Sequence, residues 1–144
     1  MVQIKDCSAS TERPNWECKY VYDSDVLDRG WETLDADTSP WIKLNLNEEY
    51  ELQQLKIKTI GGIKKFSKIL IEFSDNRFYA EALDSSYDWN IITLPRIRSQ
   101  YIKITRESSH GSNSEGGGIS RIKASGCPTG KVIYNKTIME IVLL

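Results

Sequence analysis

The side chains able to do chemistry in this chain are few, and their spacing matches no catalytic motif. The 144 residues contain one histidine, His110, and three cysteines, Cys7, Cys18 and Cys127. There is no paired-carboxylate motif, nucleophile elbow or phosphate-binding loop, and Gly116-Gly117-Gly118 precedes no helical pattern. A zinc site would need more histidines and closer cysteines than these. The residues therefore favour binding over catalysis.

Trp16 is a candidate binding residue because it lies in a long polar stretch, residues 8–40, where a strand-core aromatic is not expected. Its ring is apolar and its indole N–H is polar, so it suits either a bilayer interface or the apolar face of a sugar. An aromatic that folds back over the end of the core is the alternative. The sequence leaves these interpretations open.

A second candidate is the segment from Gly61 to Phe66, in which Ile63 is followed by Lys64 and Lys65. An exposed apolar tip above two ammonium groups would be attracted to an anionic membrane surface, where each lysine contributes about 1 kcal/mol. A solvated hairpin in which Phe66 begins the next strand explains the same residues. Both interpretations stay open.

The elements that must position these side chains are β-strands. Apolar and polar residues alternate from Trp41 to Leu46, and the alternation returns in several later segments. Turn signals such as Ser74-Asp75-Asn76 separate the segments, and none carries a long amphipathic helical stripe. The pattern predicts an all-β sandwich or jelly roll, with function in its long connections.

Composition excludes nucleic acid as a partner. Lys and Arg number 19 against 20 Asp and Glu, so there is no basic excess to neutralise a phosphate backbone. No run of about 18 apolar residues is present, and the first residues lack the apolar region of a signal peptide. We expect a soluble chain with one domain over residues 1–127 and a linker or added edge segment over residues 128–144.

An ordered series of motifs resembles the discoidin domain, also called the coagulation factor V/VIII type C domain, of the galactose-binding-like superfamily. The motifs that carry the resemblance are Cys7-Ser8-Ala9-Ser10, Val26-Leu27-Asp28 with Gly30-Trp31, Trp41 to Leu46, Phe73-Ser74-Asp75, Gln100 to Ile104, and Arg121 with Gly126-Cys127. No single motif is specific. The order and spacing of the series from Cys7 to Cys127 carry the assignment.

The resemblance implies an all-β jelly-roll sandwich of about eight strands, with loops projecting from one end. It also implies a non-catalytic recognition or adhesion module that binds cell-surface glycans, secreted or on the extracellular face of a membrane protein. The family's other ligands leave alternatives: phosphatidylserine or another anionic phospholipid membrane, a receptor protein, or a role as an accessory carbohydrate-binding domain of a larger secreted enzyme.

The resemblance also suggests which residues bind. Sugar sites in the family combine a histidine, one or two arginines and an aromatic, because imidazole and guanidinium groups donate to hydroxyls while the ring stacks on the sugar. Arg13 is one candidate donor. The ligand-binding residues predicted for the sugar and membrane alternatives together are Trp16, Ile63, Lys64, Lys65, Arg77, Arg106 and His110.

Packing and cross-links are implied in the same way. Trp31 and Trp41 fall in the matching core motifs, so both are expected in the core. The family pattern favours a disulfide between Cys7 and Cys127, which would leave Cys18 as the odd thiol.

A structural calcium ion is the one cofactor that the resemblance allows. Some lectin-like relatives hold it through a loop aspartate, backbone carbonyls and a glutamate in the closing strand, and Asp23, Asp25 and Asp28 are the candidate loop ligands here. The closing-strand position carries Arg121, as in the animal receptor branch, which argues against the site.

Overall fold

The computed structural model describes residues 1–23, 25, 28–60, 65–111 and 117–130, which form an antiparallel all-β domain. None of the segments in these ranges is a helix long and apolar enough to cross a membrane. The regular elements, in chain order, are β1 Ile4–Ala9, a 3₁₀ turn Cys18–Val21, β2 Trp31–Glu32, β3 Trp41–Ile60, β4 Phe66–Phe73, β5 Phe78–Ala82, β6 Asn90–Ser109 and β7 Gly118–Pro128.

Strands β3 and β6 organise the fold, and each is 20 residues long. They pair antiparallel along their length, with Trp41 opposite Thr105 and Ile57 opposite Asn90. A register shift after Asn45 divides the pair into two halves. Strands β1 and β4 extend one half, whereas β7 extends the other, so the two long strands run through both parts of the sheet.

One face of this sheet is apolar along its whole length, which explains why the sheet closes on itself. In β3, Ile42, Leu44, Leu52, Leu55 and Ile57 are fully buried, and the residues next to each of them are more exposed. No helix of the described ranges covers that face, so only a second layer of the same sheet can exclude water from it. The alternation in the sequence therefore predicted the sandwich.

The contact between Trp31 and Phe66 shows that the two layers are stacked. The strand order is β2-β7-β3-β6-β4-β5, so three strands separate β2 from β4. The two rings nevertheless meet edge to face, with their centroids 6.0 Å apart, and both residues are fully buried. Trp31 is thus confirmed as a core residue.

Trp41 is not a core residue, and the prediction that it packs inside was wrong. Side chains alternate along a strand, and the inward position belongs to its neighbour Ile42, which is fully buried. Trp41 is half-buried on the outer face, where Nζ of Lys103 lies 4.9 Å from its ring centroid.

The disulfide joins Cys7 to Cys18, so the predicted bridge to Cys127 was wrong. The Cα atoms of Cys7 and Cys18 are 6.1 Å apart, an ordinary separation for a disulfide. Cys127 is free and exposed. It lies opposite Glu51, in the second half of β3, whereas Cys7 lies opposite Leu44 in the first half.

The long connections meet at one end of the sandwich, which we call the loop end. It consists of the described residues of 10–40, the segment 83–89, and the described residues that flank 61–64 and 112–116. Hydrogen bonds link these connections, since the N–H of Thr33 donates to the carbonyl of Gly117 at 3.0 Å. The turn between β4 and β5 lies at the opposite end, where the N–H of Ser74 donates to Oγ of Ser99 at 2.9 Å.

The predicted boundary at residue 127 falls within the last strand. Strand β7 runs to Pro128, and the N–H of Thr129 donates to the carbonyl of Glu49 at 3.2 Å, so the chain still contacts β3 just beyond that boundary. Residues 131–144 of the predicted linker lie outside the described residues.

Candidate functional site

Lys65 lies at the centre of the loop end, and it is buried. The residue is 2 % exposed, its Nζ donates to the carbonyl of Ser85 at 2.7 Å, and the same atom lies 3.2 Å from the ring centroid of Tyr87. A buried ammonium group needs partners of this kind. Lys65 therefore fastens the 83–89 segment to β4 and does not form the predicted exposed lysine pair. Ile63 and Lys64 lie outside the described residues.

His110 lies beside Lys65 and is exposed. Its backbone N–H donates to the carbonyl of Lys65 at 2.9 Å, and its ring Nε2 lies 2.9 Å from the carbonyl oxygen of Leu83. A carbonyl oxygen only accepts hydrogen bonds, so Nε2 carries the proton. In the neutral ring Nδ1 is then an acceptor, which suits a hydroxyl group of a ligand.

Tyr87 is the exposed aromatic ring of this surface, and the sequence analysis missed it. The residue is 73 % exposed. Its loop is ordered by its own side chains, because Asp84 accepts from the N–H of Ser86 at 2.9 Å and Asn90 accepts from the N–H of Asp84 at 2.7 Å. The available signal was an aromatic among polar residues, the same signal that singled out Trp16.

Trp16 lies in a tight turn elsewhere at the loop end. Its N–H donates to the carbonyl of Arg13 at 2.9 Å, and Asn15 has a φ of 68°. Pro14 followed by a left-handed asparagine is typical of a type II turn. The carbonyl of Trp16 accepts from the N–H of Glu32, which fixes the turn to β2. Trp16 is half-buried, and the exposed tip is Pro14-Asn15.

The two arginines predicted at the site are engaged elsewhere. Arg106 is 5 % exposed, and one of its terminal nitrogens donates to the carbonyl of Thr38 at 3.0 Å. Burial lowers the pKa of Arg106, and the carboxylate of Asp37 acts in the opposite direction. Arg77 lies at the opposite end of the sandwich, with its Nε 2.5 Å from a carboxylate oxygen of Asp75. Neither guanidinium group is placed to donate to a ligand beside His110.

The loop aspartates do not gather around a common point. Within the described ranges, no three His, Cys, Asp or Glu side chains lie close enough together to hold a metal ion. A terminal nitrogen of Arg121 donates to the carbonyls of Tyr20 and Asp23 at 2.8 and 2.6 Å. Asp23 accepts from the N–H of Asp25 at 2.9 Å, and Asp28 is exposed. A guanidinium group thus pairs with two backbone carbonyls of the loop that carries these aspartates.

The family assignment rests on the match between the chain and the family model of the F5/8 type C domain, which covers residues 6–121. The chain belongs to this family. No curated protein is significantly similar to it in sequence. Domains of this kind are typically non-catalytic binding modules, and some are parts of enzymes.

Solved structures with the same fold include carbohydrate-binding modules. The family 32 module of C. perfringens NanJ, in complex with galactose, is 17% identical with a TM-score of 0.70, over 83% of this chain and 91% of that chain. The family 32 module of AlyQ, in complex with 4,5-unsaturated mannuronic acid, is 17% identical with a TM-score of 0.70, over 87% of this chain and 98% of that one.

A third structure contains the module as part of a larger protein. Truncated AlyQ, with family 32 module and alginate lyase domains, is 16% identical with a TM-score of 0.71 over 88% of this chain. This F5/8 type C chain spans 33% of the AlyQ chain. At these identities the three likenesses show the fold alone.

Proposed function

We propose that this F5/8 type C domain is a non-catalytic extracellular recognition module that binds cell-surface glycans at its loop end. The observation that carries the proposal is the placement of two exposed residues, His110 and Tyr87, against the buried Lys65. The tyrosine ring can stack on the apolar face of a sugar while the imidazole bonds to its hydroxyls. Because Lys65 holds both residues, little ordering remains to be done on binding.

Further observations support a glycan over a membrane. The ammonium group of Lys65 is already paired, which removes one of the two charges that the membrane alternative needs. The structural neighbours in complex with galactose and with 4,5-unsaturated mannuronic acid also favour a sugar ligand. The Cys7–Cys18 disulfide supports an extracellular location, because disulfides persist in oxidising compartments.

A tethering role in a larger secreted enzyme is the second candidate. It is favoured by truncated AlyQ, in which a domain of this fold accompanies an alginate lyase domain. A recognition module and a tethering domain would both bind a glycan at the loop end. The same binding experiment therefore tests glycan binding for either role.

Substitutions at the loop end are expected to remove sugar binding. Calorimetric titration with the best ligand from a glycan array should give a dissociation constant that rises about tenfold or more for Tyr87→Ala and for His110→Ala, because each change removes a direct contact. Arg77→Ala is the matched control, since its exposed side chain lies at the opposite end of the sandwich.

Two results would contradict this proposal. One is sugar binding that survives both loop-end substitutions, which would place the glycan elsewhere on the domain. The other is binding to phosphatidylserine vesicles with no binding on the glycan array, which would favour the membrane alternative.

We also propose that the domain folds without calcium. The carbonyls of Tyr20 and Asp23 have their cationic partner in Arg121, so the wild-type melting temperature should not change between excess EDTA and millimolar calcium. Arg121→Met should lower the free energy of unfolding by about 1–3 kcal/mol, because it leaves these carbonyls unpaired. Arg98→Met is the control, since its side chain is 60% exposed. A calcium-dependent rise in the wild-type melting temperature would refute the proposal.

A further inference from the structure

The outer face of the β3-β6-β7 sheet carries a group of lysines that the loop-end site does not use. Lys56 lies in register between Ile91 of β6 and Lys123 of β7, and Lys58 follows two residues later on the same side of β3. The intervening Ile57 is fully buried, so Lys56 and Lys58 project outward.

Trp89 lies at the centre of this group. Its ring centroid is 4.8 Å from Nζ of Lys58 and 5.0 Å from Nζ of Lys123. The ring is half-buried, and the neighbouring Ile91 is 59% exposed. We call Lys56, Lys58, Trp89, Ile91 and Lys123 the basic face.

The lysines of the basic face have no acidic partner among the described residues. The ion pairs among the described residues involve other side chains, and the carboxylate of the adjacent Asp88 accepts a hydrogen bond from the N–H of Trp89 at 2.9 Å. The chain as a whole has a net charge of −1. Three uncompensated ammonium groups on one rigid sheet surface therefore form a local positive field on an otherwise nearly neutral protein.

A groove continues from the basic face along the sheet. A depression of about 200 Å³ beside Lys56 and Lys123 adjoins a second one of about 380 Å³, because Gln54 and Ser125 line both. Arg96 also lines the second depression. Cationic side chains line both depressions, and the amide of Gln54 and the hydroxyl of Ser125 are shared between them. This combination suits a polymer that bears both hydroxyls and negative charges.

We propose that the basic face and its groove bind an acidic polysaccharide, a chain of uronate sugars. The lysines pair with carboxylates, Trp89 packs on an apolar sugar face, and Gln54 and Ser125 bond to hydroxyls. This surface adjoins the loop end at Trp89 but includes neither Tyr87 nor His110, so it does not depend on the glycan site proposed there. The absence of an overall basic excess disfavours nucleic acid, which needs several phosphate contacts.

The test is a titration of the whole chain with polygalacturonate at low salt, followed by calorimetry or affinity electrophoresis. Fully methyl-esterified pectin has the same backbone without its charges and should not bind. Lys56→Gln with Lys123→Gln should weaken binding about tenfold, and added salt should weaken it further. Trp89→Ala should weaken it without altering the salt dependence, because the ring carries no charge.

The matched control removes two charges elsewhere. Lys5→Gln with Lys68→Gln makes the same change at exposed positions on β1 and β4, and it should leave binding within about twofold if the effect is local. Equal losses in the two double variants would overturn the proposal, as would unchanged binding in the basic-face variant or equal competition by a single-stranded oligonucleotide. Tyr87→Ala should leave polygalacturonate binding intact, so failure of the loop-end proposal and failure of this one give different results.

Discussion

Replacing Trp31 with alanine is expected to lower the free energy of unfolding by about 3–5 kcal/mol, as large aromatic truncations in a core do. The residue is fully buried, its ring meets Phe66 edge to face, and its indole N–H donates to the carbonyl of Thr11 at 2.9 Å. The substitution therefore opens a cavity between the two layers and also leaves a carbonyl at the loop end unpaired. Urea denaturation followed by circular dichroism measures the loss.

Trp41→Ala is the control for that measurement, because it removes the same side chain from the outer face of β3. Its expected cost is about 1 kcal/mol, since the ring is half-buried on the outer face beside Lys103. Similar losses at the two positions would contradict the assignment of Trp31 to the core and Trp41 to the surface.

The two tryptophans show what the sequence could and could not predict. Alternation of apolar residues predicted the strands and the closed sheet, because burial on one side of a strand follows from its period of two. The same period places Trp41 outward once Ile42, Leu44 and Leu46 are inward. The family motifs predicted that both tryptophans lie in the core. For Trp41 the alternation along the strand is the better guide, because it places this residue on the outer face.

The loop end was predictable only in part. Long polar connections indicated where function should lie, and His110 is exposed there. The burial of Lys65 was not predictable, because it depends on the carbonyl of Ser85 and the ring of Tyr87, which lie about 20 residues further along the chain. Such long-range contacts decide which polar side chains remain available to a ligand.

The basic face illustrates the same limit. Lys56 and Lys58 alternate with the apolar residues Leu55 and Ile57 in the sequence, as the outward residues of a strand do. Lys123 lies beside them because β7 pairs with β3. Trp89 lies beside them because it directly precedes β6, which pairs with β3 on the other side. No pattern within a single segment indicates that these charges share one surface.

The disulfide gives the second large effect. Replacing Cys7 and Cys18 together with serine is expected to lower the free energy of unfolding by about 2–3 kcal/mol, because the bridge closes a short loop and restricts the unfolded chain. The bridge also holds the 3₁₀ turn against β1. In that turn, the carbonyl of Tyr20 accepts a hydrogen bond from Arg121. Much of the loss should therefore appear as early opening of this part of the loop end, seen as faster hydrogen exchange there than in β3 or β6.

Cys127→Ser is the control for the disulfide, and it should be nearly neutral because that thiol is free and exposed. A digest of the non-reduced protein should contain the Cys7 and Cys18 peptides linked, with Cys127 open to alkylation. A linked pair of Cys7 and Cys127 peptides would restore the arrangement that the family pattern favours. It would also require β1 to leave its place opposite the first half of β3, since Cys127 pairs with Glu51 in the second half. The peptide map therefore tests the strand register as well as the bond.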